Sequence, residues 1–128
     1  MFRANIWKSA GATLAITLFS GAATAQDSDP ALSSDRAAYE AAMKCFVVAG
    51  NAYAERQKAG DQTKAAAYET KAHAAFDFAV KFGRSVGRNG SQIKADISET
   101  QDRELPKLVA DVGYNRQSAA TCRALGLL

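Results

Sequence analysis

What the chain has little of excludes several classes of protein. Among its 128 residues there are only two cysteines, two prolines, one tryptophan and one histidine. Cys45 and Cys122 lie too far apart for the C-x-x-C patterns of redox, c-type haem and zinc sites. No strand pattern precedes a serine, as the nucleophile elbow of hydrolases requires, and the chain contains no Walker A loop. We therefore predict a protein that is not an enzyme and that holds no cofactor and no metal.

The first 25 residues have the composition of an export signal. Arg3 and Lys8 charge the first part, a short apolar core follows over residues 10–19, and residues 23–25 supply a small-x-small cleavage site. A helix of about ten residues spans roughly 15 Å, half of the hydrocarbon core, so a membrane anchor is the weaker interpretation. We expect residues 1–25 to be a signal peptide.

The rest of the chain divides into a short polar start and one domain. Residues 26–33 carry no apolar pattern and we expect them to be flexible, whereas residues 34–128 form a single domain. The full chain has 16 basic and 13 acidic residues, of which the signal removes two basic ones and leaves a net charge of +1. This balance gives no support for nucleic-acid binding. We expect a protein of the bacterial periplasm, or a secreted one, without a membrane span after cleavage.

The apolar residues of the domain repeat at helical spacing, and no stretch alternates as a strand would. Gly60 followed by Asp61 is typical of a helix end and the next N-cap. Residues 87–90 predict a second stop, after which Ser91 can cap a third helix. These signals predict an all-α fold, a small antiparallel bundle of three long helices and a short C-terminal fourth.

The end of the third segment decides whether the two cysteines can meet. Pro106 predicts a kink or break, and Gly113 followed by Asn115 predicts a reversal of the chain. An unbroken helix would place Cys122 about 46 Å along the bundle axis, against about 16 Å for Cys45. A reversal at Gly113 brings Cys122 back to about 20 Å, level with its partner.

An even pair of cysteines in an exported chain predicts a disulfide between Cys45 and Cys122, and that bond in turn requires the reversal at Gly113. Closing so long a loop contributes about 4–5 kcal/mol in the chain-entropy model. A reactive thiol or a metal ligand is the alternative role for these cysteines.

A basic, glycine-rich stretch over residues 83–91 is the strongest candidate for a ligand site. Glycines lead into a helix N-terminus, whose free amides favour an anion, and Arg84, Arg88, Ser91 and Lys94 lie close by. The alternative is turn chemistry alone, with cations placed to offset the dipole at the end of the preceding helix.

The single histidine, His73, gives a weaker candidate. Asp77 lies one turn further on, so the two side chains could form a surface ion pair or ligate a metal. Met43 and His73 are the residue types that ligate haem in some bundles. We interpret His73 and Asp77 as a surface pair and Met43 as a core residue.

We therefore expect a non-catalytic interaction, inhibitor or stress-protection module, which binds an unknown protein partner in the cell envelope. We expect a monomer rather than an oligomer. The alternative is a carrier of a small ligand or an anion, which would use the turn over residues 83–91 or a gap between helices.

Cleavage is expected after Ala25, and it removes Trp7, the only tryptophan in the chain. The exported protein should therefore begin at Gln26 and show no tryptophan fluorescence. Intact mass and N-terminal sequencing of exported protein check this expectation. A mature chain that still carries Trp7 would contradict it.

Overall fold

The computed structural model describes residues 30–128, with side chains from residue 34 onward. Within that part of the chain there are four α-helices and no strand. Their bounds are α1 Pro30–Lys58, α2 Gln62–Ser85, α3 Gly90–Ala110 and α4 Val112–Ala124. The predicted all-α fold, with three long helices and a short fourth, is confirmed.

The first helix begins earlier than the pattern of apolar residues indicates. It starts at Pro30, so residues 30–33 of the segment that we expected to be flexible belong to α1. Proline suits the first turn of a helix, because the amide hydrogen that it lacks has no partner there. The expected signal peptide, residues 1–25, and residues 26–29 lie outside the described residues.

The turn between α1 and α2 follows the sequence prediction. Gly60 has a φ of 77°, in the left-handed region that favours glycine. The Asp61 side chain then accepts a hydrogen bond of 3.0 Å from the Lys64 amide. Asp61 is therefore the N-cap of α2, as predicted.

The N-cap of α3 is Asn89, so the prediction that Ser91 caps this helix is wrong. Asn89 accepts from the Gln92 amide, and the Gln92 side chain accepts from the Asn89 amide, each at 2.9 Å. This reciprocal pair satisfies two amides, whereas a serine cap without a matching partner would satisfy only one. Ser91 lies one residue inside the helix, with an exposed side chain.

The chain reverses between α3 and α4 at Asp111, not at Gly113 as predicted. Asp111 is both the C-cap of α3 and the N-cap of α4, and its side chain accepts from the Tyr114 amide at 3.0 Å. A carboxylate satisfies a free amide at a helix start, which a glycine cannot do. Gly113 lies in the first turn of α4, and the expected cap Asn115 lies further along that helix.

Pro106 does not break α3, in contrast to the break that the sequence predicts. α3 runs through Pro106 and continues to Ala110, past the break that this proline predicts. Proline removes the bond to the carbonyl of Asp102, but both residues are exposed, so water can serve that carbonyl.

Hydrogen bonds between helices give their directions. The Ser85 hydroxyl, at the end of α2, donates to Asp35 near the start of α1, so these two helices are antiparallel. Tyr39 of α1 donates to Asp96 of α3 at 2.8 Å, and one turn later Thr100 contacts Met43, so α1 and α3 run in the same direction. The Tyr114 hydroxyl of α4 donates to Glu104 of α3, so α4 packs against α3 after the reversal at Asp111.

The predicted disulfide joins the first helix, α1, to the last, α4. Cys45 of α1 and Cys122 of α4 are bonded, with their Cα atoms 5.6 Å apart, and each residue is only 1% exposed. Buried apolar side chains surround the bond and form one core. They are Tyr39, Ala42, Met43, Val47, Val48, Ala75, Ala79, Ile93, Ile97, Leu108 and Leu127.

Gly83 marks a close approach of α2 to side chains of α1 and α3. A Cβ atom at this position would lie 2.8 Å from side-chain carbons of both Tyr39 and Ile93. Ile93 is fully buried and Tyr39 is held by its hydrogen bond to Asp96, so neither side chain can move aside.

Gly83→Ala is therefore expected to lower the free energy of unfolding by about 1–3 kcal/mol through overpacking. Gly50→Ala is the matched control, because Gly50 is also inside a helix but a Cβ added there would meet no atom within 4 Å. There the better helix former should stabilise the protein by about 0.5–1 kcal/mol. Denaturant titration of both variants checks the opposite signs, and stabilisation by Gly83→Ala would contradict the close approach.

Candidate functional site

The structure assigns Arg88, the central residue of the predicted anion site, to an internal ion pair. Its Nε and Nη2 atoms donate to the two carboxylate oxygens of Asp96 at 2.9 and 2.8 Å. Tyr39 donates to the same carboxylate. A bidentate arginine–carboxylate pair uses the donor fork that an external anion would need. Arg88 therefore ties the α2–α3 turn to α1 and α3.

The pKa values in this cluster follow from its contacts. The hydrogen bond from Arg88 lowers the pKa of Asp96 and outweighs the opposite effect of burial, with a further lowering by the Tyr39 hydroxyl. Burial, and then the hydrogen bond to Asp96, raise the pKa of Tyr39 to about 12. Asp96 is thus a carboxylate and Tyr39 a neutral phenol across the physiological pH range.

The other three predicted anion ligands do not converge. Arg84, Ser91 and Lys94 are exposed, and no hydrogen bond among the described residues joins them to one another or to Arg88. The Asn89–Gln92 capping pair already occupies two amides at the start of α3. The stretch over residues 83–91 thus has the geometry of a capped turn.

The larger of two grooves lies between α1 and α3, with a volume of about 820 Å³. Tyr39, Met43 and Thr100 line it together with charged side chains of both signs. Three of its charged side chains are paired within the chain, because Asp96 is bound to Arg88, and Lys44 lies 3.5 Å from Glu104. We call this surface the α1–α3 groove.

Glu104 is a buried carboxylate of α3, and no sequence motif indicates it. It is 5% exposed and accepts a hydrogen bond of 2.6 Å from the Tyr114 hydroxyl. The Lys44 and Lys107 ammonium groups lie 3.5 and 3.6 Å from its oxygens. The Lys44 nitrogen also lies 4.9 Å from the centre of the Tyr114 ring, within range of a cation–π contact.

Opposing effects set the pKa of Glu104. Burial on its own raises that pKa, but the Tyr114 hydrogen bond and the charges of Lys44 and Lys107 more than reverse it, so the pKa lies below its ordinary value. The side chain is therefore ionised, and it joins α1, α3 and α4 through charge.

The second groove, with a volume of about 440 Å³, lies where α3, α4 and the end of α1 meet. Leu108 and Ala119 form part of its lining, and Val109 and Val112 border it. These two valines are 68% and 69% exposed, the highest values among the large apolar side chains of the described residues. Exposed aliphatic side chains beside a groove are typical of contact surfaces.

Three arginines also line this second groove, namely Arg56, Arg116 and Arg123. None of them lies within 4 Å of a carboxylate among the described residues, in contrast to Arg88. We call the surface formed by these arginines with Val109 and Val112 the valine–arginine surface.

The remaining sequence candidates are separate from both grooves or belong to the core. His73 lies 3.8 Å from Glu69, so its neighbour is the carboxylate one turn before it and not Asp77 as predicted. Both side chains are exposed, and glutamate, with one more methylene than aspartate, spans the turn between residues 69 and 73. Met43 belongs to the core, where the Thr100 hydroxyl lies 3.8 Å from its sulfur.

Neither a metal site nor a membrane span accompanies these grooves in the described part of the chain. Among the described residues, no three histidine, cysteine, aspartate or glutamate side chains form a group that could hold a metal ion. None of the described helices combines the length and the apolar character needed to cross a membrane. No protein-family model, curated protein or solved structure matches the chain.

Glu104→Gln is expected to lower the free energy of unfolding by about 2 kcal/mol at pH 7, because it leaves three neighbouring cations, Lys44, Arg103 and Lys107, without their counter-charge. Since folding depresses the pKa of Glu104, its stabilising effect is present above the ordinary pKa of 4.5 and is lost as the pH falls through the lower folded value. The difference in stability between the variant and the parent protein should therefore shrink as the pH falls below 4.5.

Glu99→Gln is the matched control, because Glu99 is an exposed carboxylate of the same helix. It should change the free energy of unfolding by less than about 0.5 kcal/mol. Urea titrations between pH 3 and pH 7 check both variants. A gap between Glu104→Gln and the parent that stays constant with pH would show that the carboxylate charge is not its source.

Proposed function

We propose that this protein is a non-catalytic interaction module of the bacterial cell envelope, which works by binding another protein. The valine–arginine surface carries this proposal. It combines the two most exposed large apolar side chains of the described residues with three arginines that have no carboxylate partner there. Arginine is enriched at protein interfaces, where its planar donor group and apolar stem both make contacts.

The contrast between the two grooves supports the choice of surface. In the α1–α3 groove Lys44 and Arg88 are paired with carboxylates of the same chain and hold helices together. At the valine–arginine surface the cations offer free donors to a partner. Two exposed valines beside these cations add apolar surface that a protein partner can bury.

The location in the cell envelope rests on two features of the chain. The first 25 residues have the charge, apolar core and cleavage site of an export signal. A disulfide buried in a small domain suits an oxidising compartment, where it persists. The proposed partner is therefore a protein that the exported domain meets outside the cytoplasm.

Photo-crosslinking in cells tests this function. A photoreactive phenylalanine analogue in place of Val112 is expected to give a discrete adduct with another protein, whereas the same analogue in place of Lys71, exposed on α2, should give none. Val109→Ser combined with a crosslinker at Arg116 should remove most of the adduct without changing thermal stability, because Val109 is mostly exposed. Absence of an adduct from every position on this surface would contradict the proposal.

A further inference from the structure

We propose that the valine–arginine surface recognises an acidic protein segment that carries an aliphatic side chain. This inference rests on the proposed function and names the kind of partner. Three observations support it: the charge of the surface, its apolar lining, and the repulsion that a second copy of the chain would meet there.

The charge of the groove selects an acidic partner. The lining of the groove contains three arginines, Arg56, Arg116 and Arg123, and a single carboxylate, Glu55. Glu55 accepts a hydrogen bond from Asn51 at 3.4 Å. The lining therefore has an excess of two positive charges. Each guanidinium can hold a carboxylate through two parallel hydrogen bonds, so aspartate and glutamate side chains match its geometry as well as its charge.

The apolar part of the groove selects an aliphatic anchor. Leu108 is 2% exposed and continues the hydrophobic core to the groove, where Val109, Val112 and Ala119 flank it. A volume of about 440 Å³ can accept one or two side chains but not a helix in full contact. The arrangement thus fits a segment in which an aliphatic residue lies between acidic ones.

A second copy of this chain is a poor occupant of the same surface. A two-fold interface sets each patch against its own copy, which here would bring the two sets of three arginines together. Like charges placed opposite one another oppose association unless acidic groups separate them, and Glu55 alone cannot do so. The charge of the surface therefore favours a different protein.

A peptide titration tests the inference on the whole purified protein. The probe is a twelve-residue peptide with two leucines among glutamates and serines, and the controls replace all glutamates by glutamine or both leucines by serine. The acidic peptide is expected to shift the amide signals of Val109, Val112 and Ala119 in a saturable way and to lose affinity as salt is raised. Both control peptides should bind more weakly.

Variants of the protein distinguish binding at the valine–arginine surface from non-specific electrostatic attraction to the peptide. Arg116→Gln and Arg123→Gln should each weaken binding about threefold, the size of an exposed ion pair. Arg84→Gln removes the same charge from an exposed site on α2 and should leave the affinity unchanged. An equal loss with Arg84→Gln, or equal binding of the glutamine peptide, would overturn the inference, as would an absence of shifts.

Two other occupants have their own outcomes. Binding to phosphatidylglycerol vesicles that is lost in Arg116→Gln, without binding of the acidic peptide, would assign the surface to anionic lipid. Concentration-dependent dimerisation that Val112→Asp abolishes would assign it to a second copy. Either result overturns the inference. A crosslinked partner at Val112 without peptide binding would leave the proposed function standing and reject only the acidic segment.

Discussion

The bond between Cys45 and Cys122 is the constraint on which the order of the helices depends. It joins the first helix to the last over a sequence separation of 77 residues. A link between such distant positions contributes about 4–5 kcal/mol in the chain-entropy model, a large share of the stability of a domain this small. Because both sulfurs are buried in the core, the bond also fixes the height at which α4 packs against α1.

The buried carboxylate of Glu104 acts on the same helices as the disulfide. Lys44 precedes Cys45 in the chain and lies 3.5 Å from Glu104, while Tyr114 reaches the same carboxylate from α4. A buried charge is costly unless it is fully paired, and here one hydrogen bond and three nearby cations satisfy it. The disulfide sets which helices meet, and the Glu104 cluster sets their register.

Helical periodicity and glycine stops predict the four helices, because these signals lie close together in sequence. The even pair of cysteines in an exported chain predicts the disulfide, and that bond in turn requires the reversal before α4. Two helix boundaries were predicted at the wrong residues. Asp111 ends α3 because its side chain binds the Tyr114 amide, and a search for glycine stops overlooks an aspartate that serves two helices. Asn89 displaces Ser91 as a cap because Gln92 completes a reciprocal pair with it.

The candidate site was harder to predict, because it depends on contacts between distant residues. Arg88 looks free in the sequence, but Asp96, eight residues away across a turn, binds it. Part of the valine–arginine surface does leave a signal in the sequence. Val112, Arg116 and Arg123 follow one face of α4 at helical spacing, with no acidic residue among them. Arg56 joins them only through the packing of α1.

Rigidity connects the stability of the domain with the function that we propose. The valine–arginine surface is built from α1, α3 and α4, the helices that the disulfide and the Glu104 cluster hold together. A surface that is already in place loses little conformational entropy when a partner binds, so more of the contact energy remains as affinity. The valine–arginine surface is small, so few contacts can form there. The disulfide and the Glu104 cluster therefore support binding as well as folding, because they hold the arginines and valines in place for a partner.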